Sequence, residues 1–214
     1  MDLDLVEHST KLLIENGERV FQAHRFAPND WLHVRRLTLW ADLPNHARVI
    51  DMGCGTGEVA RLWTGIQPLR FYLVNISPLQ LSYAPSEMEQ YLGDMLAVPE
   101  PDASFDAAIC LFAIGHVDRD AAFREMARLV RPGGIVFVYD MVRLSGDNER
   151  MAELAYRVDD REEMEAAAVK AGLALDFYLE PIDQGWYGPQ VMGPQFFEYF
   201  GDVAPAMWRF VRLP

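Results

Sequence analysis

Residues 47 to 59, Ala-Arg-Val-Ile-Asp-Met-Gly-Cys-Gly-Thr-Gly-Glu-Val, join a short apolar strand to an acid, Asp51, and then to glycines at 53, 55 and 57. Glycine has no Cβ, so it takes positive φ readily and lets a ligand approach the backbone, at an entropic cost that a plain connection would avoid. A ligand is therefore expected on this loop. Three cofactor classes use a glycine-rich turn after a first strand. A nucleoside triphosphate site needs GxxxxGK[ST], whose lysine and hydroxyl serve the phosphates and magnesium, and no such string occurs. A dinucleotide site shows GxGxxG, with an acid about twenty residues on for the ribose diol. Here the spacing is GxGxG and the second strand ends on Asn75. Glycine spacing alone leaves the ligand open.

A second candidate for chemistry is His116, just past the apolar run Phe105 to Phe112. An imidazole titrates near neutrality and can move a proton there. It can equally pack or hydrogen-bond at the start of the following helix, and both readings stand. His24 and His33 read as ordinary helix residues. Cys54 and Cys110, the only two cysteines, form neither a disulfide framework nor a CxxC pair, so no structural metal is expected. The acidic run Asp159 to Glu165 reads as a solvated helix face.

The elements that must position these residues alternate. Residues 1 to 44 read as a helical cap. Its first helix starts at about Ser9, a candidate N-cap, and breaks near Asn16-Gly17. A second follows Pro28, capped by Asn29 or Asp30, with His33, Leu37 and Trp40 on one face, and ends at Leu43-Pro44-Asn45. From 45 on, strands are expected near 47–52, 71–75, 90–92, 105–112 and 135–139, with helices from Gly57 to about Trp63, after Ser77-Pro78, and after Asp118. In that last helix Phe123, Met126, Ala127 and Val130 recur at helical spacing, and Arg131-Pro132-Gly133-Gly134 stops it. A helix over 160–171, a strand over 173–179 and a strand over 207–213 complete the chain. The last two strands are expected to pair antiparallel. Strand-helix alternation of this kind implies an α/β, doubly wound, Rossmann-like, mostly parallel sheet of seven strands.

The 214 residues are half hydrophobic, which suits one domain, 45–214, with the cap attached. A formal charge of −13 argues against a phosphate-backbone partner such as nucleic acid. No stretch of membrane-spanning length and no signal-peptide core is seen, so a soluble, cytoplasmic protein is expected. Residues 181–206, rich in Gly, Pro and aromatics, are expected to fold over the sheet edge as a lid. Trp31, Trp40, Trp186, Tyr187, Phe196, Phe197, Tyr199 and Phe200 either line an apolar acceptor pocket or form core, and Trp186-Tyr187 between Gly185 and Gly188 best suit the pocket. Oligomeric state is not legible.

Several strings together resemble a known family. Val49 to Val59 is similar to the first motif of class I S-adenosylmethionine-dependent methyltransferases, and Gly93-Asp94-Met95 resembles its adenine-binding position. Ser104 to Ile109 resembles the fourth-strand signature, and Leu129-Val-Arg-Pro-Gly-Gly134 the turn before the fifth strand. The resemblance covers about residues 45 to 180. It implies S-adenosylmethionine as cofactor, which has no phosphate and so needs no loop lysine. It also implies that Gly53, Cys54, Gly55 and Gly57 line the methionine and ribose moieties, with Asp51 orienting the amino group. Asp94 would accept from the adenine amine with Met95 beside it, and Leu111 would lie along the cofactor. Asn75 departs from the Asp or Glu usual at that position. Asn75-Ile76-Ser-Pro-Leu-Gln80 resembles the branch related to cyclopropane fatty acid synthases and some carbon methyltransferases, which implies cofactor contacts from Asn75, Ile76 and Gln80. Where that branch carries Glu before its histidine, this chain has Gly115, so plain methylation of a small, partly apolar acceptor is expected rather than ring formation, with His116 as candidate base. Methylation of RNA or protein, and a noncatalytic cofactor-binding module, are the alternatives.

Overall fold

The computed structural model describes residues 3–15, 31–146, 155–180 and 203–214, and in it the apolar strands assemble into one seven-stranded sheet of order β3-β2-β1-β4-β5-β7-β6. The strands are β1 (Arg48–Met52), β2 (Arg70–Asn75), β3 (Glu89–Leu92), β4 (Phe105–Leu111), β5 (Val130–Arg143), β6 (Leu173–Leu179) and β7 (Val203–Arg212). Strands β1 to β5 pair in parallel, and β7 lies antiparallel between β5 and β6. The described helices are α1 (Leu3–Glu15), α2 (Trp31–Ala41), α3 (Glu58–Thr64), α4 (Pro78–Leu81), α5 (Arg119–Leu129) and α6 (Arg161–Lys170), with a 3-10 turn at Ile114–His116.

The inner strands feed two cores, because successive side chains alternate across a sheet. Ile50, Met52, Ala108, Cys110, Val136, Val138, Trp208 and Phe210 face α5 and α6. Val49, Leu73, Ala107, Ile109, Phe137, Tyr139 and Met207 face the other way, toward α2 and α3. With both faces covered, the central strands read as continuous apolar runs. The chain winds from β1 outward to β3, then crosses to the other side of β1 to lay down β4. The switch point lies between β1 and β4, and the crevice outside the carboxyl ends of the strands there is where open α/β sheets bind ligands.

Local chemistry explains most boundaries. Asp118 caps α5 by accepting from the Ala121 N–H at 2.7 Å, and Asp160 caps α6 in a reciprocal pair with Glu163. Gly172, at φ +82, lets the chain leave α6 and enter β6.

Several expectations are corrected. Helix α1 begins at Leu3, not near Ser9, with Asp4 in its first turn where the helix dipole favours an acid. In α2 Leu37 is buried on the expected face, Val34 and Ala41 are buried beside it, and Trp40 packs half-buried at the margin of that stripe. Val130 belongs to β5, not to the preceding helix: it pairs with Phe105, pairing lapses through Pro132-Gly133-Gly134, and it resumes at Ile135 opposite Ala107. The Pro-Gly-Gly turn is thus a bulge, with Gly133 at φ +74. Strand β4 ends at Leu111, since Phe112 turns to φ +52. Strand β7 starts at Val203, four residues before Met207, because β5 runs on to Arg143 and supplies it with partners. The helix break at Asn16-Gly17, the caps Asn29 and Asp30, His24, and the aromatics from Trp186 to Phe200 lie outside the described residues, as do the side chains of Trp31 and His33.

Two substitutions test this packing. Phe123→Ala removes a fully buried ring packed edge-on against Phe210 and should cost about 3–5 kcal/mol by urea denaturation. Asp160→Ala should cost about 1 kcal/mol.

Candidate functional site

At the end of β1 the chain turns through Gly53, Gly55 and Gly57 at φ +85, +57 and +69, the left-handed region that side chains resist. The Gly53 and Cys54 N–H groups both donate to the Val74 carbonyl at 3.0 Å, which draws the loop over the end of β2. A Cβ at Gly53 would stand 2.4 Å from Ala113 Cβ, so the loop after β4 closes against this glycine. A Cβ at Gly57 would meet Leu73 Cδ1 at 2.9 Å and Pro85 Cδ at 3.0 Å. Gly57 is thus fixed by packing as well as by φ, whereas Gly53 and Gly55 stay half-exposed at the crevice.

Asp51 ends the buried run of β1 just before this loop. Its side chain is 2% exposed, and its carboxylate has no hydrogen-bond partner among the described residues. Burial alone lifts its pKa from 3.8 to about 7. An isolated buried carboxyl is costly, and it is the group here that a cation would relieve. Cys54 is buried, and burial pushes its thiol well above the ordinary range, so it is no nucleophile at neutral pH.

The end of β2 is a closed hydrogen-bond net. Asn75 Nδ2 donates to the Gly55 carbonyl and to Gln80 Oε1, both at 2.9 Å, and Asn75 Oδ1 accepts from the Ser77 N–H at 3.1 Å. Ser77 Oγ caps α4 through the Gln80 N–H at 3.1 Å. Helix α1 joins the net: Ser77 Oγ donates to Glu7 Oε1 at 3.3 Å, and Gln80 Nε2 donates to Thr10 Oγ1 at 3.2 Å. Ile76 is exposed between them.

The end of β3 is tied in by the Gly93 N–H, which donates to the Asn75 carbonyl at 2.9 Å. Asp94 is exposed, and its Oδ1 accepts from the Leu96 N–H at 2.9 Å, while Met95 is buried with its sulfur 3.8 Å from where a Gly53 Cβ would sit. On the other side of the switch point are Leu111 and the turn carrying His116, both half-buried. Asp51, the glycine loop, Asn75, Gln80, Asp94, Met95 and Leu111 thus lie at or just beyond the ends of four neighbouring strands.

Three residues of this crevice were not singled out from the sequence. Asp140, 1% exposed on β5, accepts from the Ile114 N–H at 3.2 Å and the Met141 N–H at 2.7 Å, and the Tyr156 hydroxyl donates to it. Burial lifts its pKa to about 6, against the pull of those donors. Phe112, at φ +52, stacks edge-on against Tyr139 with centroids 4.5 Å apart. An acid closing an apolar strand was the available signal for Asp140. Tyr156 follows a charged stretch with no pattern to mark it.

A family described as a methyltransferase domain matches residues 50–138. The sterol 24-C-methyltransferase of Candida albicans is 23% identical over 210 residues, covering 86% of this chain and 56% of that protein. Two further curated relatives are matched over 32% and 37% of their own length, so this chain spans a third to a little over half of such proteins. Among solved structures, geranyl diphosphate C-methyltransferase from Streptomyces coelicolor, in complex with magnesium, geranyl diphosphate and S-adenosyl-L-homocysteine, superposes with a TM-score of 0.72 at 15% identity, over 85% of this chain and 79% of that one. The [4+2]-cyclase SpnF gives 0.71 at 20% identity, over 86% and 80%. These structures share the fold.

The geometry predicts two outcomes. Gly53→Ala must move the loop after β4 as well as hold an L-residue at φ +85, so it should lower stability by ~1–3 kcal/mol in urea denaturation. A carboxyl whose pKa rises on folding binds its proton more tightly in the folded chain, so Asp51 opposes folding increasingly as pH climbs from about 4 to about 7. Asp51→Asn removes that opposition. Relative to the unsubstituted protein, it should therefore gain stability between about pH 5 and about pH 8.

Proposed function

We propose that this chain, which carries a class I S-adenosylmethionine-dependent methyltransferase domain, moves a methyl group from S-adenosylmethionine to a small, partly apolar acceptor through a carbon, oxygen or nitrogen atom. The observation that carries the reading is Asp51: a buried carboxylate with no hydrogen-bond partner among the described residues, beside a positive-φ glycine loop at the switch point, suits the cofactor's ammonium group. When bound, the cofactor supplies a methyl carbon on a cationic sulfur that is already a good leaving group, so orientation accounts for much of the rate.

The residues of the crevice fit that cofactor. Gly53, Cys54 and Gly55 offer close backbone, with Gly57 fixing the turn behind them. Asn75 Oδ1 and Gln80 Oε1 each accept one hydrogen bond within the net, leaving a further lone pair for a ribose hydroxyl. Exposed Ile76 and buried Met95 suit the two sides of an adenine, and the second carboxylate oxygen of Asp94, Oδ2, suits its amine. Leu111 completes the apolar wall. His116 takes the acceptor's proton where one must be lost. We take residues 1–44 as a cap and 181–206 as a lid over the acceptor. The Candida relative is named for a sterol and the Streptomyces neighbour for geranyl diphosphate, and both names support an apolar acceptor. The charge of −13 speaks against RNA, and no described helix is long and apolar enough to cross a membrane, which fits a cytoplasmic setting.

A second reading is a chain that binds the cofactor without using it for methyl transfer. It is favoured by Asn75, whose amide hydrogens are both spent inside the protein, and by a neighbour named as a cyclase. The two readings separate experimentally. Calorimetry with S-adenosylhomocysteine should show binding that Asp51→Ala or Gly55→Val weakens by about tenfold or more, ~1.4 kcal/mol, and that His116→Ala leaves nearly unchanged. Labelled methyl should pass from S-adenosylmethionine into a mixed metabolite extract, more slowly with His116→Ala. Binding without transfer to any acceptor in that extract would favour the second reading, and no binding at millimolar ligand would remove both.

A further inference from the structure

Beyond the named candidate base, the acceptor side of the crevice contains a buried assembly that cofactor binding does not call for. We propose that Asp140 and Tyr156 are positioning residues for His116, built to hold its imidazole as a base for an acceptor that sheds a proton when methylated. The proposal rests on the methyltransferase reading above for the identity of the reaction, but the geometry stands by itself.

Strand β4 stops at Leu111, paired with Tyr139, so Asp140 is the first residue of β5 beyond that ladder. Its carboxylate faces the space the shorter strand leaves. There Oδ2 accepts from the Ile114 N–H at 3.2 Å, the first residue of the turn that carries His116. Oδ1 accepts from the Tyr156 hydroxyl, on the segment that also brings in Ala155. One carboxylate therefore ties together both halves of the histidine's surroundings. The Arg157 N–H, donating to the Gly115 carbonyl at 2.8 Å, is a second stitch between the same two segments.

Both halves then act on the ring. Tyr156 packs edge-on against the imidazole, centroids 4.6 Å apart at 86°. The Ala155 carbonyl lies 3.3 Å from Nδ1. A carbonyl oxygen only accepts, so this contact selects the tautomer with the proton on Nδ1 and the basic lone pair on Nε2. Ala155 makes the contact from φ +50, a conformation an alanine keeps only where its surroundings over-determine it. Tyr156 and the Arg157–Gly115 bond are those surroundings.

Gly115 is part of the same device. A Cβ there would stand 2.3 Å from Tyr156 Cε1 and 2.6 Å from the Arg157 carbonyl oxygen. The residue before the histidine has no room for a side chain of its own, because Tyr156 occupies that place. A ring needed only for packing could be phenylalanine. The hydroxyl instead meets a carboxylate whose burial is itself unfavourable, an arrangement that makes sense when the pair fixes something else.

The proton balance defines the acceptor class. As the acceptor's electron pair forms the bond to the methyl carbon, the pair of the broken C–S bond stays on sulfur, and the acceptor's proton passes to Nε2, turning imidazole into imidazolium. Acceptors that profit are hydroxyls, and carbons that must lose a proton after gaining the methyl group. Thioethers and tertiary amines have no proton to give up and gain nothing from the base.

The test reads the histidine directly. In protein labelled with 15N-histidine, with His116→Asn assigning the signals, His116 should show the Nδ1–H tautomer as its predominant neutral form. Tyr156→Phe, which keeps the ring, and Asp140→Asn should each make that tautomer the minor one, while S-adenosylhomocysteine affinity by calorimetry stays within about twofold. Should Asp140→Asn fail to fold, as judged by thermal unfolding, Tyr156→Phe carries the test. An Nε2–H tautomer in the unsubstituted protein, or an unchanged tautomer in the folded variants, overturns the proposal. Absence of S-adenosylhomocysteine binding in the unsubstituted protein would instead fail the methyltransferase reading and leave the tautomer result intact.

Discussion

The missing Cβ of Gly53 is the constraint on which the site depends. The loops after β1 and β4 leave the sheet on either side of the switch point, and they touch where Ala113 approaches within 2.4 Å of the position a Gly53 Cβ would take. That contact sets how far apart the two sides of the crevice can stand. On one side are Asp51 and the open backbone of the loop, and on the other the turn leading to His116. A cofactor and an acceptor that must meet in line need both sides held to within fractions of an ångström. Packing of a glycine main chain against the short Ala113 side chain does this more rigidly than long side chains can, and the positive φ of the glycine loop is what lets the two loops meet.

The crevice also buries two carboxylates with opposite arrangements. Asp140 is surrounded by donors from Ile114, Met141 and Tyr156, whereas Asp51, as deeply buried, has no such partner among the described residues. Burial raises both pKa values, to about 6 and about 7. The difference lies in what remains to be satisfied. Asp140 has spent its acceptors on protein, which makes it an anchor. Asp51 has no donor on its carboxylate among the described residues, which leaves its acceptors open. A buried charge that lowers stability by itself is retained where a partner arrives to complete it.

The glycine spacing, the acid before it and the strand-helix rhythm made the sheet legible in the sequence, since each follows from local chemistry: continuous apolar runs for strands covered on both faces, caps at Ser77 and Asp118, and glycine where φ must be positive. What was not legible arises from register between distant segments. Strand β7 begins at Val203 because β5 runs on to Arg143, and no window around 203 contains that information. The partnership of Asp140 with Tyr156 spans sixteen residues and a charged stretch without periodicity. Ser9 looked like a cap because serine is one elsewhere, yet α1 runs through it from Leu3.

Asn75 shows how a departure seen in sequence acquires a reason in structure. Its Nδ2 sits between two acceptors, the Gly55 carbonyl and Gln80 Oε1, each 2.9 Å away. A carboxylate in the same place would turn lone pairs on both, whereas an amide donates to them. The neutral residue therefore binds the glycine loop to α4, and through Gln80 to Thr10 of α1, at the cost of one acceptor that an acid would have offered a ribose diol. Thr10 is fully buried and Glu7 reaches Ser77, so the first helix shares the hydrogen-bond net at the end of β2. The amide at 75 is then better understood as a joint between helix, loop and strand than as a weakened copy of an acid.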